Sequence, residues 1–204
     1  MALVENISQS GAGRPELTMP EDAAELLRRH YAAASVILEY GTGGSTALAA
    51  EMPDKTTFAV ENDPDWHAGL RAYFSNNPPR STLHLHLAET GPVENWGHPL
   101  SDEGWRQWPG YVLSVWDRAD FQEPDVILID GRFRVACFLA AVFRLRRACT
   151  VLFDDYVDRP SYHVVEKFAP PTEFAGRMAR FDIQPGRFPA DGLSALIEAF
   201  GQPL

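Results

Sequence analysis

A glycine-rich stretch in the first quarter of the chain has the residue types that bind a nucleoside-containing ligand. It reads EYGTGGST at residues 39–46 and follows the apolar run at 36–38, which is typical of a buried parallel strand. Glycine permits a sharp backbone bend and a close approach of ligand that a Cβ atom would prevent. The helix of small residues predicted behind the turn offers free N–H groups to an anionic part of the ligand. Glu61 ends the next apolar run, and a carboxylate at the tip of the second strand of a βαβ unit can accept both hydroxyls of a ribose.

The order of acids and glycines in this stretch distinguishes between two nucleoside cofactors. A dinucleotide site requires a third glycine at position 46, where this chain has Thr46, so the GxGxxG pattern is broken. Glu39 lies two residues before the first glycine, and a carboxylate there would repel a pyrophosphate. S-adenosylmethionine carries an ammonium and a sulfonium group but no pyrophosphate, so the same acid favours it. The alternatives are a generic βαβ turn and a nucleotide-sugar or NAD enzyme.

The ExGxGxS pattern at residues 39–45 resembles motif I of class I S-adenosylmethionine-dependent methyltransferases, and Glu61 matches the ribose-binding acid of the family's second motif. This resemblance implies a Rossmann-like α/β fold, with a seven-stranded, mostly parallel sheet, an antiparallel last strand and helices on both faces. It also implies S-adenosylmethionine as the cofactor and a small molecule as the methyl acceptor. The cofactor-binding residues that it implies are Glu39, Gly41, Thr42, Gly43, Ser45, Thr46, Glu61, Asn62, Ala88, Glu89 and Asp130.

A second group of acids follows two later apolar runs. Asp130 comes after the run at 126–129, and Asp154 and Asp155 come after the run at 151–153. The resemblance implies that these two strands are neighbours, which would bring the three carboxylates to one edge of the sheet. Clustered carboxylates repel one another unless a hard cation lies among them, and oxygen ligands suit Mg²⁺. The residues resemble those of metal-dependent O-methyltransferases of the macrolide and catechol type, in which the metal holds the substrate hydroxyl and lowers its pKa.

Two departures from that pattern keep other interpretations open. The catechol-type enzymes have a lysine three residues after the first aspartate, where this chain has Phe133. Asp130 is then the candidate catalytic residue, and His163 and His98, on loop-like segments, are the candidates for a general base. The three acids could also be structural, with Asp155 capping the turn that follows it. The missing lysine favours a second function, that of a methyltransferase-like cofactor-binding protein without catalytic activity.

Capping residues and apolar spacing predict the remaining elements. Thr18 is predicted to cap a first helix, and Asp63 a second one that follows Glu61. The alternation at 83–87 predicts a third strand, whose two histidines, His84 and His86, should lie on the exposed side of an edge strand rather than bind a metal. Further predictions are a helix at about 132–147, a helix near 162–168, a sixth strand around 179–183 and a return through 186–192. The resemblance to methyltransferases implies a seventh, antiparallel strand at 194–200.

The connection at 90–123 is the least regular part of the chain and contains four of its five tryptophans. So long a connection within one domain is usually functional or disordered, and its aromatic content argues against disorder. Two interpretations follow: the segment covers the substrate beside the cofactor, or its tryptophans merely pack it onto the sheet.

Length and composition limit the remaining choices. The 204 residues predict a single methyltransferase-like domain, 1–204, with 1–17 poorly ordered. A net charge of −10 argues against a nucleic-acid partner, and no apolar run has the length that crosses a membrane. Two cysteines in apolar context, Cys137 and Cys149, suggest inert core thiols and a reducing, cytoplasmic location. Self-association is left open.

Overall fold

The molecule is built on one sheet whose two halves meet at the first and fourth strands. A computed structural model describes residues 13–186 and 189–203 of the chain. The seven strands are β1 (Val36–Tyr40), β2 (Thr56–Glu61), β3 (Thr82–Leu87), β4 (Val126–Ile129), β5 (Cys149–Phe153), β6 (Glu173–Ala175) and β7 (Met178–Ile183). Their order is β3-β2-β1-β4-β5-β7-β6, and β7 runs antiparallel to both of its neighbours. The predicted seven-stranded, mostly parallel sheet is therefore confirmed.

Helices cover both faces of this sheet, as predicted. They are α1 (Glu21–Ala33), α2 (Gly44–Glu51), α3 (Pro64–Asn76), α4 (Trp108–Leu113), α5 (Arg134–Arg144) and α6 (Leu193–Ala199), with a 3₁₀ helix at Pro160–Lys167. The apolar residues of α1 pack on one face, and those of α4, α5 and α6 pack on the other. Side chains of β1 alternate between the two faces, so Ile37 points toward α1 while Leu38 and Tyr40 point toward α5. Within the described ranges no helix has both the length and the apolarity to cross a membrane.

The register of the central strands brings their last residues to one edge of the sheet. Tyr40 of β1 pairs with Val60 on one side and with Ile129 on the other. Ile129 in turn pairs with Phe153 of β5. The residues that follow these strands therefore lie side by side, which is where an open α/β sheet binds its ligands.

Two predictions about the elements are wrong, and two others lie partly outside the described residues. Residues 194–200 form α6 and not a strand: Leu196 and Phe200, four apart, pack against the core, whereas a strand would have buried Glu198 with them. The capping residue of α1 is Pro20, because Thr18 makes no side-chain cap. The predicted return through 186–192 includes residues 187 and 188, which lie outside the described residues, as do residues 1–12 of the segment predicted to be poorly ordered.

The histidines of β3 are half-buried instead of exposed. β3 is an edge strand as predicted, but the connection that follows it folds back over one of its faces. The ring of His84 stacks on Phe58 with centroids 4.6 Å apart, and Nε2 of His86 lies 2.7 Å from the hydroxyl of Ser114. The guanidinium nitrogens of Arg118 lie 3.4 Å from Nδ1 of each ring, so this face carries a cation, which disfavours a metal there.

Candidate functional site

The glycine-rich turn between β1 and α2 is in direct backbone contact with the turn after β4. Gly41 has φ +94°, and an added Cβ atom would lie 2.7 Å from the backbone nitrogen of Gly131. A side chain at position 41 is thus excluded twice, by conformation and by space. The two turns close the point where the strand order reverses, between β1 and β4. Residues 13–17 also run against this turn, since the backbone of Glu16 occupies the space that a Cβ atom of Gly44 would need.

Glu39 is fully buried beneath the turn and holds it in place. Its carboxylate accepts hydrogen bonds from the hydroxyls of Tyr31 and Thr46, both at 2.7 Å. Thr46 in turn accepts the N–H of Gly43 at 3.0 Å, so the residue that replaces a third glycine ties the turn to the strand below it. Burial raises the pKa of Glu39 to about 7, against the lowering effect of the hydroxyl donors Thr46, Tyr31 and Ser45. In this arrangement Glu39 and Thr46 shape the turn, and their predicted contact with a cofactor stays a prediction.

The burial of Glu39 makes the stability of the fold depend on pH. Glu39 ionises near pH 4.5 in the unfolded chain and near pH 7 in the folded one, so between these values the folded protein binds more protons. Its contribution is therefore complete below pH 4.5 and is lost as the pH rises through 7. We expect the free energy of unfolding to fall by about 2–3 kcal/mol more between pH 5 and pH 8 in the native protein than in Glu39→Gln. Urea titrations at both pH values measure this difference, and parallel losses in the two proteins would contradict it.

Glu61, at the end of β2, lies beside the glycine-rich turn with 8% of its surface exposed. Oε1 accepts the backbone N–H groups of Asn62 at 2.8 Å and Asp63 at 3.0 Å, and Oε2 accepts the hydroxyl of Thr42 at 2.5 Å. Burial raises the pKa of Glu61, while the hydroxyl of Thr42 and the two N–H groups lower it. The Oε2 atom thus accepts one hydrogen bond from the turn, and a ribose hydroxyl could donate a hydrogen bond in its place.

The residues that directly follow β2 and β3 are Asn62, Ala88 and Glu89. The side-chain amide of Asn62 donates to the hydroxyl of Thr90 at 2.9 Å and to the carbonyl of Gly97 at 2.7 Å. Ala88 is buried and Glu89 is exposed. Asn62 therefore anchors the start of the 90–123 connection against the end of β2.

The 90–123 connection divides into a packed part and an open part. Trp108 and Trp116 are buried, and the indole N–H of Trp116 donates to the hydroxyl of Tyr40 at 2.6 Å. Trp96 and Trp105 keep 71% and 55% of their surface exposed. The packing interpretation is therefore right for the second half of the connection. A covering role is left to the first half, residues 91–105, which carries the two exposed indoles.

The three aspartates predicted to converge do so. One carboxylate oxygen from each of Asp130, Asp154 and Asp155 lies within 4.8 Å of the others. The register of β4 and β5 explains this, because Asp130 and Asp154 each follow a residue of the pair Ile129–Phe153. Asp155 follows with φ +57°, a left-handed conformation that turns its side chain back toward the same point.

Three arginines already occupy the space around these carboxylates. Arg177 forms a bidentate pair with the fully buried Asp154, with distances of 3.0 Å from Nε to Oδ1 and 2.6 Å from Nη2 to Oδ2, and its Nε lies 3.1 Å from Asp155. Three further ion pairs complete the cluster: Arg159 lies 3.0 Å from Asp155, and Arg134 lies 3.2 Å from Asp155 and 3.3 Å from Asp130.

Arg134 cannot easily leave this cluster. It is buried, and its guanidinium donates to the carbonyl oxygens of Gly131, Asp154 and Asp130 at 2.9, 2.7 and 3.2 Å. A dication would have to enter beside the fixed charge of Arg134 and the two partly exposed arginines, which disfavours it at these distances. As arranged here, the donor set therefore does not fit Mg²⁺, although it consists of oxygen ligands. The three carboxylates and three guanidiniums sum to zero charge.

The sequence offered a signal for only two of these arginines. Arg134 follows Asp130 by four residues, and Arg159 follows Asp155 by four. Arg177 lies in the tight turn between β6 and β7, and only the antiparallel pairing of β7 with β5 brings it to Asp154. No local pattern predicts that contact.

Each of the two candidate bases has one ring nitrogen close to a backbone carbonyl oxygen. Nε2 of His163 lies 3.1 Å from the carbonyl oxygen of Tyr156, so this nitrogen carries the proton, and the ring stacks on Tyr156. Nδ1 of His98 lies 3.0 Å from the carbonyl oxygen of Pro99.

Asp130 is the most accessible member of the acidic cluster, with about a third of its side chain exposed (32%). Burial raises its pKa, Arg134 opposes this, and the neighbouring Asp154 raises it further. The catalytic roles of Asp130 and His163 stay predictions.

The strand order and the helices on both faces are those of the class I methyltransferase fold, and comparison with solved structures agrees. The chain is 46% identical to a methyltransferase-like protein from Silicibacter pomeroyi, over 93% of this chain and 99% of that one, with a TM-score of 0.90. The chain therefore belongs to the same family of methyltransferase-like proteins. No protein-family model matches it, and no curated protein does.

More distant structures share the fold alone. The O-methyltransferase TomG from Streptomyces achromogenes, in complex with S-adenosylmethionine, is 17% identical over 83% of this chain and 82% of its own, with a TM-score of 0.52. An O-methyltransferase from Bacillus cereus, in complex with S-adenosylhomocysteine, is 14% identical over 89% and 88%, also with a TM-score of 0.52.

Proposed function

We propose that the chain binds S-adenosylmethionine across the carboxyl ends of β1, β2 and β3 and transfers its methyl group to a small-molecule acceptor. The observation that carries this is the carboxylate of Glu61, which lies at the end of β2 against the glycine-rich turn. Its Oε2 atom receives one hydroxyl, from Thr42, and ribose hydroxyls can take that place. Proteins of the same fold are known in complex with the cofactor, which supports the assignment.

When bound, the cofactor supplies an electrophilic methyl group on a sulfonium ion. The residues of this chain would do the rest. Glu61 orients the ribose, and the turn at 41–43 approaches the ligand with backbone only. Asp130, at the end of β4, would take up the proton of an acceptor hydroxyl as that oxygen becomes methylated. Its raised pKa suits a group that must take up a proton near neutral pH.

Metal-assisted O-methyl transfer is the finer form of this function that the sequence predicted. It requires Mg²⁺ among the aspartates, and the ion pairs with Arg134, Arg159 and Arg177 argue against it. We therefore propose methyl transfer without a metal.

A second candidate is a cofactor-binding protein without turnover. The specific observation in its favour is the contact of the turns after β1 and β4, where the hydroxyl of Tyr111 also lies against Gly131 and accepts the N–H of Arg132 at 3.2 Å. The contact between the two turns leaves less space at the ends of β1 and β4, where the methyl group would meet an acceptor. Such a protein would bind the cofactor at Glu61 and release no product.

One experiment separates these functions. The purified protein is denatured and its bound small molecules are identified by mass, and calorimetry then measures the affinity for S-adenosylmethionine. The protein is next incubated with cofactor and a fraction of small metabolites, and formation of S-adenosylhomocysteine is followed. Binding with turnover supports the methyltransferase, binding without turnover supports the second candidate, and absence of binding contradicts both.

A further inference from the structure

Arg132 differs from every arginine of the acidic cluster in having no anionic partner. It lies between β4 and α5, two residues after Asp130, with its side chain half-buried. Its Nε atom is buried and makes no hydrogen bond, and within the described residues Arg132 takes part in no ion pair. Arg134, two residues further on, satisfies its guanidinium with three carbonyl oxygens.

The surroundings of Arg132 carry an excess of positive charge. Its charged neighbours are the guanidiniums of Arg134 and Arg159, and no carboxylate is among the groups with the largest effect on its pKa, although the net charge of the chain is −10. Burial lowers the pKa of Arg132, and so does the guanidinium of Arg134, while the hydroxyls of Tyr111 and Tyr162 raise it. An arginine nevertheless stays charged under such conditions, because its pKa starts above 12.

Arg132 lies at the edge of the sheet that holds the candidate site. It follows Asp130 by two residues, and its backbone N–H donates to the hydroxyl of Tyr111, which also lies against Gly131. This is the carboxyl end of β4, where an open α/β sheet binds its ligands, so an anion bound at this edge would lie near the guanidinium.

An unpaired guanidinium in a half-buried position costs stability, and such costs are retained mainly at binding and catalytic sites. We propose that Arg132 binds an anionic group, a carboxylate or a phosphate, of the methyl acceptor. The binding of an anion at Arg132 is independent of the proposed function. Only the assignment of that anion to the methyl acceptor rests on it. The acceptor class that follows is a hydroxylated small molecule with one acidic group. Arg132 holds that group, and the end of β4 faces the hydroxyl.

The test uses inorganic phosphate and, separately, acetate as probes, with chloride at equal ionic strength as the reference and no cofactor present. Phosphate or acetate should raise the melting temperature of the native protein by about 3–6 °C at ten times the dissociation constant. Arg132→Met should lose this response while being at least as stable as the native protein in chloride, because it removes an unpaired charge. Arg132→Lys should keep part of the response. The matched control is Arg146→Met, which removes an exposed arginine of the same charge and should respond like the native protein.

Equal responses of the native protein and Arg132→Met would overturn the assignment, and so would a strong loss of stability in Arg132→Met, which would show that the guanidinium has a structural partner. The stronger of the two probe responses decides between phosphate and carboxylate. Because cofactor is absent, a failure of S-adenosylmethionine binding in the separate calorimetric experiment leaves this result unaffected.

Discussion

Replacing Glu61 by alanine should weaken S-adenosylmethionine binding by a factor of about 30 to 1,000. The carboxylate would form two charge-assisted hydrogen bonds with the ribose, and their loss corresponds to about 2–4 kcal/mol. The buried N–H groups of Asn62 and Asp63 lose their acceptor at the same time, so the end of β2 also becomes less well fixed. Isothermal calorimetry with the native and variant proteins measures the change.

Two control variants show whether the effect belongs to the ribose contact. Glu25→Ala removes an exposed carboxylate on α1 and should leave the affinity unchanged. Thr42→Val removes the hydroxyl that occupies Oε2, so the cofactor no longer has to displace it and binding should be as tight as in the native protein or tighter. If Thr42→Val loses as much affinity as Glu61→Ala, the two residues act by shaping the turn and Glu61 does not hold the ribose.

Replacing Arg177 by methionine should destabilise the fold by about 3–5 kcal/mol, the usual cost of leaving one partner of a buried pair without the other. Asp154 is 0% exposed, so its carboxylate cannot recover the lost interaction from water. The converse variant, Asp154→Asn, should cost much less, because Arg177 is 32% exposed and keeps Asp155 at 3.1 Å. Urea denaturation of the three proteins measures this asymmetry.

The same variants decide whether a metal belongs in the cluster. Mg²⁺ and a chelator should leave the melting temperature of the native protein unchanged, since three guanidiniums neutralise the three carboxylates. Arg177→Met should gain stability with Mg²⁺, because Asp154 then lacks a cation and Asp155 loses one of its three arginines. Stabilisation of the native protein by Mg²⁺, reversed by chelator, would show instead that the arginines move aside and that the predicted metal site is correct.

The sequence was sufficient to predict the parts of the site that local rules determine. Asp63 caps α3 through its side chain, as predicted from its residue type, and Pro64 begins the helix. The convergence of Asp130, Asp154 and Asp155 also followed, because strand ends in a parallel sheet meet at one edge. These features depend on short segments or on a rule that holds for the whole fold class.

Contacts between distant segments could not be predicted. Arg177 reaches Asp154 across 23 residues through the pairing of β5 with β7, and Asn62 reaches Gly97 across 35. The error at 194–200 has another origin: the expected strand came from the family order, whereas the spacing of Leu196 and Phe200 is helical. Local spacing was the better guide there.

The hydroxyl of Tyr40 joins the central strand to the 90–123 connection. It donates to the carbonyl oxygen of Val112 at 2.7 Å and accepts the indole N–H of Trp116 at 2.6 Å, all within the core. Residues 108–116 therefore belong to the same cooperative folding unit as β1 and can open only when the sheet opens. Within the described part of the chain, residues 91–105 make no such bond to β1, and the side chain of Asn62 ties them to the end of β2 instead. We therefore expect the two halves of this connection to open separately, the first half at a lower free energy than the second, with the boundary near Trp108.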